Sequence, residues 1–509
     1  GRPVARGPAS DLTALQIEGA RPADGEAEAE ELGQADVRDD AVAEGAPENR
    51  QLLAHPEVQK GVGQRRSTVG RFGQRGSRNS RISGRGPDGI VALCISGAVQ
   101  SGFGKVIRMD KFICVHGHFY QPPRENAWLE AVELQDSAYP YHDWNERITA
   151  ECYATMATSR LLDERGRIRD ITNNYAKISF NFGPTLLAWL ERHAPMVYGA
   201  ILEADRESRR RFSGHGAAIA QPYNHMIMPL ANRRDKETQI VWGILDFEHR
   251  FQRRPEGMWL PETAVDLETL EIMAEHEIGF TILAPRQAKQ TRFLDGGDWQ
   301  PVDGGKIDPS RPYLARLPSG RSIAVFFYDD PISRAVAFEG LLSDGERFAR
   351  RLMDGFDDKR REPQLVHIAT DGESYGHHQY KGNMALAFAL YAIEHRQLAR
   401  LTIYGEYLAL HPPQREVEIF EKTSWSCVHG VERWWRDCGC NSGGHPNWHQ
   451  AWRTPLREAL DWLRDTLAPA YEKALRARGA LPGWWSACWA SAWCISFSPG
   501  PTATPLSPR

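Results

Sequence analysis

Leu365-Val366-His367-Ile368-Ala369-Thr370-Asp371-Gly372-Glu373-Ser374-Tyr375-Gly376-His377-His378 is a short apolar run that breaks into four ionisable groups within eight residues. The apolar part has the length of a buried strand. An acid at its end, followed by glycine, is how a parallel sheet places a reactive carboxyl on its C-terminal rim. Two other runs follow the same plan. Phe112–Val115 leads into His116-Gly117-His118-Phe119-Tyr120-Gln121-Pro122-Pro123, and Gly257-Met258-Trp259-Leu260 leads into Pro261-Glu262.

Working outward, further strand-like runs are Lys177–Phe182, Ala217–Ala220, Phe280–Ala284 and Ile323–Tyr328. Helical spacing lies between several of them, at Thr185–Arg192, Lys236–Phe251 and Val265–His276. Strands alternating with helices predict an α/β fold with a parallel sheet. No glycine-rich dinucleotide or phosphate loop follows the first strand, so a closed barrel with its site on one face is expected over an open doubly wound sheet. The barrel is expected over residues 109–380. Beyond it, Asn383–Arg396 and Pro455–Arg478 carry apolar residues at helical spacing, which predicts a helical domain over 381–482 and an irregular tail over 483–509.

Residues 1–108 differ in kind. They hold no Trp or Tyr and only two Phe, with an acidic stretch at Asp24–Asp40 and an Arg-, Gly- and Ser-dense stretch at Gly61–Gly86. Such text buries too little apolar surface to offset chain entropy, and predicts disorder or a non-native extension ahead of Met109. The 509-residue chain as a whole is 41% hydrophobic and 25% charged, with formal charge −4. That balance leaves no basic footprint for nucleic acid, and no stretch has the apolar length of a membrane span. The eight cysteines read as reduced thiols of a cytoplasmic chain, not as a disulfide framework.

Cleaving a glycosidic bond needs one carboxylate to attack or stabilise the anomeric carbon and one carboxylic acid to protonate the leaving oxygen. Glu262 and Asp371 are the candidates. Crowding among Asp371, Glu373 and His377 would raise one carboxyl, as a general acid requires. His116 and His118 alternate on one strand and share a face, so they can hydrogen-bond sugar hydroxyls or contribute to a metal site with Asp371. His215 and His225 are further candidates, Trp259 could stack on a sugar, and Gln121 ends the first motif. The stretch Trp425–Trp452 is dense in Trp, His and Cys. The C-x-H and C-x-C spacings of Cys427, His429, Cys438 and Cys440 are unlike structural zinc, so a cleft wall including Trp425, His429 and Trp434 is the preferred reading, with no metal or cofactor expected.

Taken in order, His116-Gly-His118-Phe-Tyr-Gln121-Pro122, Tyr223-Asn-His225 with Pro229, Trp259-Leu-Pro-Glu262 and Asp371-Gly-Glu373-Ser-Tyr-Gly-His377 resemble the motifs of glycoside hydrolase family 57 over about residues 111–380. The resemblance implies an incomplete (β/α)7 TIM-like barrel and a retaining, metal-free mechanism on alpha-linked glucans, of alpha-amylase or 4-alpha-glucanotransferase type. It further implies Glu262 as nucleophile, Asp371 as general acid/base, and His116, His118, His225 and Trp259 lining the donor sugar subsite, with an oligo- or polysaccharide as partner. Ser424–Arg464 resembles the start of a helical domain attached to one uncharacterised bacterial subgroup, which implies a truncated C-terminal domain. The second motif departs from better-studied members by reading Tyr223-Asn-His225-Met-Ile-Met-Pro229, and the fourth by placing Gly372 between its acids. The competing expectations are a metal-dependent deacetylase- or mannosidase-type enzyme using His116, His118 and Asp371, and a carbohydrate-binding protein without activity.

Overall fold

A computed structural model describes residues 110–440 and 447–477; the expected extension over 1–108 and tail over 483–509 lie outside the described residues. The strands that build the site are β1 (Lys111–Phe119), β2 (Ser179–Phe182), β3 (Phe280–Leu283), β4 (Ala288–Phe293), β5 (Tyr313–Arg316), β6 (Ser322–Phe327), β7 (Gln364–Asp371), β8 (Arg400–Leu401) and β9 (Arg415–Ile419). β1 is the hub, running parallel to β7 over its first eight residues and to β2 at its C-terminal end. From β2 the pairing passes through parallel bridges, Phe180 to Ala218, Ala220 to Met258, and Gly257 to Phe280. β3 then pairs in parallel with β6. The last link, from β6 to β7, is a single hydrogen bond from Asp329 N to His367 O at 2.8 Å. Seven parallel segments thus follow one another edge to edge in a ring.

That last seam is thin for a visible reason. The edge of β6 that would meet β7 is occupied from Ser322 to Val325 by antiparallel β5. β5 continues outward through β9 to β4, so the sheet branches away from the ring there. β7 is left to contact the connection before β5, through Leu365 N to Ser310 O at 3.0 Å.

The two-residue period of a strand sorts side chains to the two sides of the ring. Phe112, Cys114, Ile219, Trp259, Phe280, Ile282, Ala324, Phe326, Leu365 and Ala369 form one enclosed cluster, joined by Tyr404 and Tyr407. Their alternates Ile113, Val115, Phe180, Met258, Ile323, Val325, Val366 and Ile368 belong to the larger cluster shared with the helices. Each fully enclosed ring contributes roughly 2 kcal/mol relative to exposure. The helices expected at Thr185–Arg192, Lys236–Phe251, Val265–His276 and Asn383–Arg396 are found at Pro184–His193, Arg233–Phe251, Leu267–Glu275 and Gly382–His395.

The chain does not turn purely helical after residue 380. β8 pairs with the N-terminal half of β1, and β9 lies between β4 and β5, so the sheet draws on sequence past the expected boundary. These strands are short and charged, which hid them from a search for apolar runs. A helix does follow at Arg453–Ala477, and its Leu456, Leu460, Leu463 and Leu467 are exposed. Among the described residues, no helix is long and apolar enough to cross a membrane.

Candidate active site

The polar ends of the strands converge at the C-terminal rim of the ring. His116, from β1, is fully buried and touches Ser179 Oγ through Nδ1 and Asn181 Oδ1 through Nε2, each at 3.1 Å. Asn181 donates its amide to His118 Nδ1 at 2.9 Å and to Gln221 Oε1 at 2.7 Å. His118 Nε2 meets His225 Nε2 at 3.0 Å. These contacts fit one consistent set of neutral tautomers: His116 donates from Nε2, and His118 accepts at Nδ1 and donates from Nε2 to His225. Burial pushes His116 down to about 3 and His225 to about 4, and burial together with His225 and His116 holds His118 well below the usual range. All three rings are uncharged at neutral pH.

Trp259 lies beneath this relay, stacked on His116 and His118 with ring centres 5.0 and 5.2 Å apart. It is fully buried, so it has no open face for the sugar stacking expected of it and instead supports the two histidines. The Trp259 indole nitrogen and Gln221 Nε2 are buried donors without a hydrogen-bond partner. Tyr120 stacks on His225 at 3.7 Å.

Glu262 stands on a turn of unusual backbone. Pro261 ends the strand-like segment, and Glu262 and Thr263 both take left-handed conformations, with φ of 57° and 49°. Such a residue costs of order 1–3 kcal/mol and persists only where its surroundings over-determine it. Here they do. Gln287, fully buried, donates to Thr263 O at 2.8 Å and accepts from the Thr263 hydroxyl at 2.9 Å. Trp425 holds Glu262 at both ends, its backbone N donating to Glu262 O and its indole N–H to Glu262 Oε2, each at 3.0 Å. Trp425 also packs edge-on against Trp259. It therefore positions the carboxylate, a role distinct from the cleft wall expected.

Asp371 ends β7, paired with His118 in the adjacent strand. Gly372 follows because a Cβ there would sit 2.2 Å from the Phe119 ring. Asp371 keeps a solvent-facing surface, yet protein walls it on most sides. Its carboxyl is pushed up to about 8, first by desolvation, then by the Glu373 and Glu262 carboxylates. Glu373 is buried and accepts from Tyr153 Oη at 2.5 Å and Tyr120 N at 3.2 Å. Burial lifts it to about 7, against the pull of those donors and of Gln121.

Other expected residues scatter. His377 turns away to Glu151, which also pairs with Arg147. Gln121 reaches Glu373 and accepts from Arg124 at 2.7 Å. His215 binds Glu256 at 2.6 Å, both at the N-terminal ends of their strand segments and so on the opposite side of the ring. Trp434 lines a groove with Met226, Ile227 and Leu230. His429 is exposed, and its Nδ1 lies with the sulfurs of Cys427, Cys438 and Cys440 within 4.8 Å of one another. The expectation that their spacing argues against a ligand set is thus at odds with the geometry. Sequence reasoning missed Asn181, Tyr153 and Gln287. Asn181 carried a usable signal, a polar residue at the trailing end of an apolar strand; Tyr153 and Gln287 carried none.

The arrangement is that of an α/β enzyme with a carboxylate pair on the C-terminal rim of its strands. The chain belongs to glycosyl hydrolase family 57, whose model matches residues 115–419; a domain of unknown function, DUF3536, matches residues 448–488. An exo-type maltose-forming amylase from Pyrococcus sp. ST04 is similar at a TM-score of 0.55 and 19% identity, covering 73% of this chain and 65% of its own. A 4-alpha-glucanotransferase from Thermococcus litoralis is similar at 0.46 and 16%, covering 74% and 48%. A branching enzyme from Pyrococcus horikoshii is similar at 0.45 and 17%, covering 64% and 75%. The chain therefore spans about two thirds of the first of these proteins and about half of the second. No curated protein matches it.

Proposed function

We propose that the protein is a retaining glycoside hydrolase or transglycosylase on alpha-linked glucans, with Glu262 as nucleophile and Asp371 as general acid/base. The observation that carries this reading is the contrast at the rim: the Asp371 carboxyl is pushed up by partial desolvation and by Glu373 and Glu262, while Glu262 is fixed by Trp425. In the first step Asp371 gives its proton to the glycosidic oxygen as the C–O bond breaks, and Glu262 forms an ester with the anomeric carbon. In the second, Asp371 takes a proton from water or a sugar hydroxyl, which attacks and displaces Glu262. The uncharged rings of His118 and His225 at the rim, backed by His116, suit recognition of uncharged hydroxyls. We further read the strand ring as an incomplete (β/α)7 barrel and Arg453–Ala477 as part of a helical domain that follows it.

A metal-dependent reading with His116, His118 and Asp371 as ligands is less well supported, because both ring nitrogens of His116 are already engaged by Ser179 and Asn181. The test is product analysis on maltooligosaccharides with parent, Glu262→Ala and Asp371→Ala chains in azide. A glycosyl azide of inverted configuration from Glu262→Ala, and of retained configuration from Asp371→Ala, is expected. The same anomer from both would reject the assignment.

A further inference from the structure

Between the two matched families, in residues 420–447, lies the cluster that the proposed chemistry does not use. We infer that Cys427, His429, Cys438 and Cys440 form a structural zinc site that staples the loop carrying Trp425 against the Glu262 turn. The distances are Cys427 Sγ to Cys438 Sγ 3.9 Å, Cys427 Sγ to Cys440 Sγ 3.6 Å, Cys427 Sγ to His429 Nδ1 3.8 Å, and Cys440 Sγ to His429 Nδ1 3.4 Å. A disulfide would need about 2.05 Å between sulfurs. A tetrahedral zinc with Zn–S of about 2.3 Å and Zn–N of about 2.0 Å spans edges of about 3.8 Å between sulfurs and about 3.6 Å from sulfur to nitrogen. The observed edges bracket those values.

The backbone explains how an unusual spacing converges. Gly439, between the two later cysteines, has φ of 81°, which lets the chain reverse so that two sulfurs one residue apart face the same point. Gly430, after His429, has φ of 76°, and a Cβ there would sit 2.2 Å from Lys422 O. Cys427 is buried, its carbonyl accepting from Gly430 N, and the Ser424 hydroxyl donates to Gly430 O at 2.8 Å. Three thiolates and one imidazole make a closed set with no open position, the donor set of structural zinc. Zinc would take the three sulfurs as thiolates and offset their charge.

The link to the active site is short. Trp425, which holds Glu262 at both ends, is two residues from Cys427. Arg286 donates to Ser424 O at 2.9 Å, tying the segment to the body of the protein just before Trp425, and Arg433 closes the loop on itself through Ser426 O, also at 2.9 Å. With the ion in place, the position of the Trp425 indole is fixed from the loop side as well; without it, the contacts of Lys422, Thr423, Ser424 and Trp425 with the body remain, and the segment from Cys427 to Cys440 loses its staple. This consequence for Glu262, but not the metal site itself, rests on the function proposed above.

The test begins with the metal content of the purified full chain after dialysis, by elemental mass spectrometry, with no substrate involved. About one zinc per chain is expected. Cys438→Ser with Cys440→Ser should lose it, whereas Cys488→Ser with Cys494→Ser should retain it. Should the first pair fail to fold, His429→Ala, at an exposed position, should still weaken zinc binding at least tenfold in competition with a chromogenic chelator. Cobalt(II) in place of zinc should give intense visible bands of a tetrahedral site with thiolate charge-transfer absorption, absent from His429→Ala or altered in it. No bound zinc, or zinc retained equally by all variants, would overturn the site. The coupling is read separately: stripping zinc should lower kcat in the parent but have little further effect in Trp425→Phe, and equal losses in both would overturn the link while leaving the site standing.

Discussion

The two carboxyls at the rim are set apart by opposite means. Asp371 ends a regular eight-residue strand, hydrogen-bonded along its length to β1, and its carboxyl is raised by desolvation, then by Glu373 of the same motif and by Glu262 across the rim. Glu262 stands on a left-handed turn with almost no regular strand before it, and its position is set by Gln287 and Trp425, the latter 163 residues later. One carboxyl is carried by regular strand pairing and the other is placed by side chains distant in the sequence.

The sharpest way to break this comparison is to remove either group. Glu262→Gln and Asp371→Asn should each lower kcat by roughly 10⁴-fold on maltooligosaccharides. A fall in only one of them would mean that the pair does not act together. Asn181→Ala comes next. It leaves His116, His118 and Gln221 each short of a buried partner, at a cost of about 3 kcal/mol in all. A fall of roughly 3–5 °C in Tm by calorimetry is expected. An unchanged Tm would show that the relay is not what orders the rim.

Trp425→Phe keeps a ring but deletes the donor to Glu262 Oε2. A loss of about tenfold in kcat with KM nearly unchanged is expected, matching one charge-assisted hydrogen bond. A change confined to KM would return Trp425 to the sugar-contacting role read from sequence. The smallest effect concerns pH. Asp371 acts as the acid while protonated, and its raised value sets the alkaline limb of kcat/KM. Glu373→Gln removes one neighbouring negative charge, which makes ionised Asp371 less unfavourable and lowers its pKa. The limb should move to lower pH by about one unit or less, with the acid limb unmoved. A shift to higher pH would show that Glu373 does not act on Asp371 through its charge.

Much of this was legible in the sequence. The apolar runs that became β1, β2, β3, β6 and β7 each carry enough hydrophobic surface to announce a buried strand, and the acids and histidines follow them directly. Since a parallel strand delivers its last residues to one rim, His116, His118, Glu262 and Asp371 could be named together from their placement at strand ends. The short charged strands β8 and β9 were not legible, because their pairing depends on partners far away in the chain. The same reason governs the finer site. Trp259 looks like a sugar platform as a sequence but is a buried support, Trp425 looks like a cleft wall but clamps a carboxylate, and four residues with unpromising spacing meet within 4.8 Å. Sequence determined which groups reach the rim, through local hydrophobic pattern. Which of them face one another, which are enclosed, and how far the Asp371 carboxyl is raised were decided only by the tertiary structure, because burial and Coulomb interaction depend on distances between residues that the chain order leaves far apart.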